Sequence, residues 1–249
     1  MPSYLVTGSS RGIGLELTRQ LANSNDDTVV FASARSSNNP RFQELLRQLP
    51  ERIVHVPLDV TDQASIKNAV GLITSKLDGK GLDVLINNAG VLSNGSIEEM
   101  DDLEDIFRTN VNGVHNLTRA VLPLMRKGQE KKILNISTTL GSISKQSINR
   151  HVKTPSYKIT KAALNMLTVL YANDLENEGF TVFCVSPGWL KTDLGSDDAD
   201  LPVEVGVSSV LDILHRIGRD GNGRFLNIHV PGWENAPGLN QYDGKEVPW

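Results

Sequence analysis

The chain has 249 residues, of which 39% are hydrophobic and 22% are charged, and this composition excludes a wholly disordered protein. Lys and Arg number 25 against 29 Asp and Glu, and the resulting net charge of −4 argues against binding nucleic acid by phosphate neutralisation. One cysteine, Cys184, excludes an intrachain disulfide and with it a secreted disulfide scaffold. Cys184 lies in an apolar run, where we expect a buried, inert thiol.

The first residues, M-P-S-Y-L-V-T-G, have neither the basic nor the apolar segment of a signal peptide. No stretch approaches the roughly 18 consecutive apolar residues that a membrane-spanning helix needs. We therefore expect a cytoplasmic protein with no membrane or nucleic-acid partner, folded as a single domain over residues 1–249.

Short apolar runs alternate with longer helical patterns along the chain. Strands are expected at residues 4–7, 28–33, 53–57, 84–87, 132–137, 181–186 and 224–228. The longest helical patterns cover residues 103–128, 156–178 and 202–217. This alternation predicts an α/β fold, a doubly wound (Rossmann) parallel sheet of about seven strands with helices on both faces. Residues 141–154 and the tail 230–249 break the alternation, and we expect substrate contacts in such loops.

A glycine-rich turn, T-G-S-S-R-G-I-G, follows the first predicted strand at residues 7–14 and opens the first helix. Gly8 allows a sharp exit from the strand, Gly12 lets the backbone approach a phosphate, and Gly14 lets helix and sheet pack closely. The helix N-terminus offers N–H groups and a positive dipole to a pyrophosphate. Glycines also mark plain turns, so it is the strand–turn–helix context that predicts nucleotide binding.

The end of the second predicted strand bears on which nucleotide is bound. Enzymes that use NAD usually place an acidic residue there for the ribose hydroxyl, whereas those that use NADP have basic residues for the extra phosphate. The run V-V-F-A-S-A-R-S has no acid, and Arg35 with Arg11 could hold that phosphate. We predict NADP, the alternative being that both arginines are ordinary surface residues.

Tyr157 and Lys161 lie four residues apart at the start of a long helical pattern, after Thr154 as a predicted cap and Pro155 as the first helical residue. The spacing puts both side chains on one helix face. There the ammonium group would stabilise phenolate and lower the tyrosine pKa from about 10. Such pairs also occur on ordinary helices, so the spacing alone does not indicate catalysis.

With its other motifs, the chain resembles the short-chain dehydrogenase/reductase family over nearly its whole length. The matching segments are residues 7–14, L-D-V-T at 58–61, N-N-A-G at 87–90, Asn110, Y-x-x-x-K at 157–161 and P-G at 187–188. The long segment between Thr138 and Tyr157, L-G-S-I at 140–143 and the final V-P-W are similar to a narrower group. That group contains C-factor-like and Sniffer-like carbonyl reductases and fungal norsolorinic-acid-type ketoreductases.

The resemblance implies that Tyr157 gives a proton to the substrate carbonyl oxygen, Lys161 holds the nicotinamide ribose, and Asn110 anchors a relay water. The candidate cofactor-binding residues are Gly8, Ser10, Arg11, Ile13, Gly14, Arg35, Asp59, Val60, Asn88, Ala89, Gly90, Tyr157, Lys161, Pro187, Gly188, Leu190 and Thr192. The resemblance also implies a substrate loop at 191–202 and a homodimer or homotetramer formed through the two longest helices. The five histidines show no metal-ligand spacing, and we expect no metal.

The catalytic hydroxyl is open between two residues. The family places it three residues before a glycine, which selects Thr138 ahead of Gly141. Ser137 is the alternative, although adjacent strand residues point to opposite faces and a local bulge would be needed to bring it inward.

The expected function is an NADPH-dependent carbonyl reductase, reversible as an alcohol dehydrogenase, acting on a small ketone, an aldehyde or an aromatic polyketide. The rival is a regulatory protein that senses NADP on the same fold without catalysis. Such proteins tend to lose the tyrosine or the lysine, and this chain keeps both. An epimerase or dehydratase usually needs a larger substrate domain than this length allows.

Overall fold

The computed structural model describes residues 2–24, 27–238 and 240–249. Met1, Asn25, Asp26 and Leu239 lie outside the described residues, and Leu239 is the one that belongs to the predicted tail. Strands and helices alternate in the order β1 (Ser3–Thr7), α1 (Gly12–Ser24), β2 (Val29–Ala34), α2 (Pro40–Gln48), β3 (Ile53–Pro57), α3 (Gln63–Leu77), β4 (Val84–Asn87), α4 (Leu103–Phe107), α5 (Val114–Met125), β5 (Lys132–Ile136), α6 (Pro155–Leu175), β6 (Thr181–Ser186), α7 (Val203–Arg216) and β7 (Phe225–Asn227). Three predicted strands match residue for residue, two differ by one residue at one end, and two differ by one residue at each end.

The strands form one parallel sheet in the order β3-β2-β1-β4-β5-β6-β7. Leu5 of β1 lies opposite Phe31 of β2 on one side and Leu85 of β4 on the other. The strand order reverses between β1 and β4, and open α/β sheets bind ligands at such a point, beyond the carboxyl ends of the strands. The predicted doubly wound sheet is confirmed.

Alternate side chains of the sheet enter two apolar layers. Tyr4 and Val6 of β1 pack with α1, α2 and α7 on one face, whereas Leu5 packs with α3, α5 and α6 on the other. Because helices cover both faces, β1 and β6 are buried over their full lengths. The single sheet and its two helical layers form one domain. Within the described residues, no helix is both long enough and apolar enough to cross a bilayer.

The pattern at 103–128 predicts one uninterrupted helix, and the structure differs there. A π-helical segment, Arg108–Gly113, joins α4 to α5. A Cβ placed on Gly113 would lie 2.8 Å from Cγ2 of Val60, so this turn packs closely on the segment after β3. Asn110 lies in the π-helical segment and is 1% exposed. Single π turns inside α-helices are frequent at functional sites.

Thr154 occupies the N-cap position of α6, but the prediction that it caps the helix is wrong. Its backbone ψ of 63° lies outside the extended region in which an N-cap hydroxyl reaches the first amides. The hydroxyl is buried and has no hydrogen-bond partner among the described residues. Pro155 begins the helix as predicted.

Candidate active site

The glycine-rich turn lies at the carboxyl end of β1, beside the reversal of strand order. Gly8 has a φ of 72° and Gly12 a φ of 54°, conformations that residues with a Cβ rarely adopt. The N–H of Ser9 donates to the carbonyl of Ser33 on β2 at 2.8 Å, and its hydroxyl donates to the carbonyl of Val6 at 2.9 Å. The turn is therefore fixed against the sheet, with its backbone shaped to receive a phosphate group.

The loop after β4 is tied to the same turn through Thr7. The Thr7 hydroxyl accepts from the N–H groups of Asn88 and Ala89, each at 2.9 Å. Nδ2 of Asn88 donates to the Thr7 carbonyl at 2.8 Å. A Cβ on Gly14 would lie only 2.2 Å from the carbonyl oxygen of Gly8 and 2.5 Å from that Nδ2. The Asn88 amide and the missing side chain at position 14 together shape the cradle.

The predicted basic residues lie at the surface near this turn. Arg35 is exposed after the end of β2, and its charge helps to lower the pKa of Asp59, a shift caused mainly by the hydroxyl and N–H of Thr61. Arg11 donates to Asp193 at 3.3 Å, with both side chains largely exposed. An exposed pair of this kind contributes at most about 1 kcal/mol, so Arg11 can exchange Asp193 for a phosphate at little cost.

Tyr157 and Lys161 lie on adjacent turns of α6, as their spacing predicts. Nζ of Lys161 is 5.6 Å from the centre of the Tyr157 ring and donates to the carbonyl of Ile136 at 2.7 Å. Both side chains are buried, and burial raises the pKa of Tyr157 to about 12 and lowers the pKa of Lys161 to about 8. Burial thus outweighs the lowering of the Tyr157 pKa that we expected from Lys161.

Asn110 enters the site from the π-helical segment. Its Oδ1 accepts from the N–H of Val91 and its Nδ2 donates to the Val91 carbonyl, each at 2.9 Å. Nδ2 also donates to the hydroxyl of Thr160 at 3.1 Å. A Cβ on Gly90 would lie 3.3 Å from Oδ1 of Asn110 and 3.9 Å from Nζ of Lys161. The β4 loop, the π-helical segment and α6 therefore meet beside Lys161.

The two candidate hydroxyls have different surroundings. Ser137 is 2% exposed and donates to Oδ1 of Asn165 at 2.6 Å. Thr138 is half-buried, and among the described residues its hydroxyl accepts from the N–H of Leu140 at 3.2 Å and donates to nothing. Asn165 also donates to the carbonyl of Gly141 at 3.3 Å, which holds this turn on α6. Because the Ser137 hydroxyl already donates its proton to Asn165 in the core, this arrangement favours Thr138 as the hydroxyl that faces a substrate.

The segment after β6 reaches the glycine-rich turn. Pro187 is buried, and Gly188 has a φ of 88°. Cγ2 of Thr192 lies 3.5 Å from the position of a Cβ on Gly12, so this segment closes one side of the cradle. Leu190 is 3% exposed and its side chain packs against α7. Its side chain therefore belongs to the core, and its backbone is the part that could contact a nicotinamide.

The predicted site residues thus follow the carboxyl edge of the sheet from β1 to β6. Ser10, Ile13 and Ala89 are half-buried at the glycine-rich turn, and Val60 is half-buried against Gly113. Sequence reasoning missed Thr7, Thr160 and Asn165. Asn165 had a readable signal, since it lies four residues after Lys161 and eight after Tyr157 on one helix face. Among the described residues, no three His, Cys, Asp or Glu side chains converge as a potential metal site.

Comparison with known proteins decides the family. A family model described as short chain dehydrogenase matches residues 3–200. The chain belongs to the short-chain dehydrogenase family. The short-chain dehydrogenase/reductase AacuF of Aspergillus aculeatus is 36% identical over 200 residues, which span 76% of this chain and 74% of that protein.

The solved structures that match this short-chain dehydrogenase over its whole length include two carbonyl reductases. NADPH-bound carbonyl reductase from chicken fatty liver has a TM-score of 0.88 and 34% identity, covering 100% of this chain and 99% of that one. The carbonyl reductase Sniffer of D. melanogaster has a TM-score of 0.88 and 28% identity, covering 100% of both chains. The predicted resemblance to carbonyl reductases of the Sniffer type is confirmed, and the protein is an oxidoreductase of this family.

Proposed function

We propose that this short-chain dehydrogenase is an NADPH-dependent carbonyl reductase, acting on a ketone or aldehyde and catalysing the reverse oxidation of the alcohol. The observation that carries the proposal is the meeting of Tyr157, Lys161 and Asn110 beside the glycine-rich cradle. A protein that only senses NADP needs the cradle, but it has no use for a buried phenol and ammonium on adjacent helical turns. The buried pair therefore favours catalysis.

The residues present fit a nicotinamide dinucleotide. Gly8 and Gly12 hold positive φ values where a phosphate would approach, and Gly90 leaves the space beside Lys161 open. When bound, NADPH supplies the hydride that is added to the carbonyl carbon. Lys161 would hold the nicotinamide ribose, while the backbone after Gly188 and the side chain of Thr192 would hold the carboxamide.

The chain's own groups handle the proton. With a pKa raised to about 12, the Tyr157 phenol is protonated at neutral pH, which is the state that a proton donor needs. Thr138 would donate a hydrogen bond to the same carbonyl oxygen and hold it in line with the phenol. Lys161, with a pKa of about 8, is mainly charged at neutral pH and stabilises the phenolate left after proton transfer.

The test of this function compares two tyrosines on α6. Wild-type protein should consume NADPH with at least one member of a panel of ketones and aldehydes. Tyr157→Phe should lose about 100-fold or more of kcat while still binding NADPH, because it removes the acid alone. Tyr171→Phe, which removes a phenol bonded to His115 at 2.9 Å, should keep its turnover.

An active Tyr157→Phe variant would refute the proposed acid. Tight NADPH binding by a wild-type protein that reduces none of the carbonyl compounds would instead favour the NADP-sensing alternative. The two results are told apart by measuring NADPH affinity and NADPH consumption on the same preparation.

We also propose that Arg35 and Arg11 select NADPH over NADH. Because hydrogen bonds to a charged group contribute about 1.5–3 kcal/mol, Arg35→Ala should weaken NADPH binding about 10- to 100-fold and leave NADH binding unchanged. Arg47→Ala is the matched control, since Arg47 is an exposed α2 cation paired with Glu44. Equal losses for both cofactors would contradict the proposal.

Finally, we propose that two copies associate through α6. Ile159, Met166 and Leu170 follow one another on one face of this helix and are 40%, 60% and 53% exposed. Burying such a stripe against a second copy removes apolar surface from water. Met166→Glu should convert the oligomer to monomers in sedimentation experiments, whereas Val205→Glu on α7 should not. A monomeric wild-type protein would contradict this proposal.

A further inference from the structure

The C-terminal segment, defined here as residues 240–249, lies along the free edge of β7. Val247 N–H donates to the Phe225 carbonyl at 2.7 Å, and Asn227 N–H donates to the Lys245 carbonyl at 2.9 Å. The segment therefore runs antiparallel to β7, with a bridge between Leu226 and Glu246. These backbone bonds hold the segment to the sheet, so groups at its two ends keep a fixed separation.

The first end of the C-terminal segment contacts the loop after β6. The Tyr242 hydroxyl donates to Oδ2 of Asp200 at 2.5 Å and accepts from the N–H of Trp189 at 3.1 Å. Asn240 donates to the same Asp200 oxygen at 2.7 Å. The Tyr242 ring is 3% exposed and lies against Gly188. One hydroxyl thus joins both ends of the 189–200 loop, next to the proposed nicotinamide contacts.

The other end of the C-terminal segment contacts the loop after β5. The carbonyl of Trp249 accepts from the N–H of Ser144 at 3.0 Å and from its hydroxyl at 2.6 Å. The carbonyl of Pro248 accepts from the hydroxyl of Ser142, which is fully buried. The Trp249 ring stacks on Phe225 of β7 at 5.5 Å between ring centres. Residues 142–144 follow Thr138 closely, so Pro248 and Trp249 are attached to the loop beside the proposed catalytic hydroxyl.

We propose that the C-terminal segment holds these two loops at the separation that a bound substrate requires, with Tyr242 and Trp249 as positioning residues. The inference rests on the proposed reductase function, because the two loops are those that would enclose its substrate. Their attachment to a single sheet-bound segment keeps the loops from opening independently. Thr138 is held separately, since Asn165 fixes Gly141 on α6. Loosening either attachment should therefore weaken substrate binding and leave the chemical step intact.

The test uses two small changes and a control in the same segment. Tyr242→Phe removes one hydroxyl, and Ser144→Ala removes one of the two hydrogen bonds to Trp249. Because Tyr242→Phe breaks the bonds to both Asp200 and Trp189, its KM for substrate should rise about 10-fold. Ser144→Ala keeps the bond from the Ser144 N–H to Trp249, so its KM should rise only about 3-fold. For both, kcat should stay within about 2-fold of wild type. Lys245→Ala, whose side chain is 80% exposed, should change neither constant.

Hydrogen exchange supplies a readout that needs no turnover. The Trp189 amide should exchange faster in Tyr242→Phe, and deletion of Pro248 and Trp249 should have the same effect on the Ser144 amide. Unchanged KM together with unchanged exchange would overturn the proposal, as would a fall in kcat at constant KM. A wild-type protein that reduces no carbonyl compound would refute the proposed function, and the attachment would then be judged by exchange alone.

Discussion

Gly14→Ala is a substitution for which the structure predicts a clear loss of cofactor binding. Gly14 lies in the first turn of α1, where a Cβ would be 2.2 Å from the Gly8 carbonyl oxygen and 2.5 Å from Nδ2 of Asn88. Ordinary contacts of a Cβ begin near 3.4 Å, so the phosphate cradle would have to shift by about 1 Å. Because Asn88 is itself bonded to Thr7, the shift cannot be absorbed by one flexible side chain.

The size of the effect follows from the cost of overpacking. A methyl group forced into a packed site costs about 1–3 kcal/mol, and the strain here falls on the backbone that would receive the phosphates. Since about 1.4 kcal/mol corresponds to a tenfold change in affinity, NADPH affinity should fall roughly 5- to 150-fold. Alanine also favours the helix over glycine by about 1 kcal/mol, which offsets part of the loss in the free energy of unfolding. This gain does not relieve the steric clash at the cradle.

The matched control is Gly71→Ala, in the middle of α3. A Cβ there meets no atom within 4 Å, and the position is exposed. This variant should raise the free energy of unfolding by about 0.5–1 kcal/mol and leave NADPH binding unchanged. Calorimetric titration with NADPH and urea unfolding of both variants separate the two effects. Wild-type NADPH affinity in Gly14→Ala would refute the reasoning, because it would show that the cradle can move without cost.

Three further predictions concern the active site and the cysteine. Thr138→Ala should lower kcat about 100-fold with little change in unfolding. Ser137→Ala should cost about 1–3 kcal/mol of stability and spare kcat, because it leaves Oδ1 of buried Asn165 with only the weak thiol donor of Cys184, at 3.6 Å. The reverse pattern in kinetics and urea unfolding would make Ser137 the catalytic hydroxyl. Burial lowers the pKa of Lys161 from 10.5 to about 8, so the folded state binds fewer protons than the unfolded state between these values, and stability due to Lys161 should rise with pH across that window. Urea unfolding at stepped pH should therefore show the free energy of unfolding of wild type rising relative to that of Lys161→Met above pH 8. A constant difference between the two would contradict the pKa shift. Cys184 is fully buried and burial raises its pKa, so a thiol reagent should modify it only in denaturant, and fast reaction with native protein would show that it is accessible.

Much of the fold could be predicted because its signals are local. A strand of a parallel sheet covered on both faces is a continuous apolar run, so the run at 181–186 gave the bounds of β6 without knowledge of its neighbours. The glycine-rich turn and the Tyr157–Lys161 pair likewise each lie within eight residues of sequence. The π-helical segment at Arg108–Gly113 was not predictable in this way. The contact that accompanies it, Gly113 on Val60, joins segments far apart in the chain.

The sequence alone therefore determined the fold class, the glycine-rich turn and the placing of Tyr157 and Lys161 on one helix face, since spacing along one strand, turn or helix encodes each of them. Three matters depended on tertiary structure. The surroundings of Ser137 and Thr138 depend on Asn165, which is 28 positions from Ser137. The raised pKa of Tyr157 depends on its burial, which helical spacing cannot show. The attachment of Trp249 to Ser144 depends on the pairing of the C-terminal segment with β7, which brings that segment to the loop after β5. Each of the three is a contact or a desolvation that segments distant in the chain produce, and local sequence patterns therefore cannot predict it.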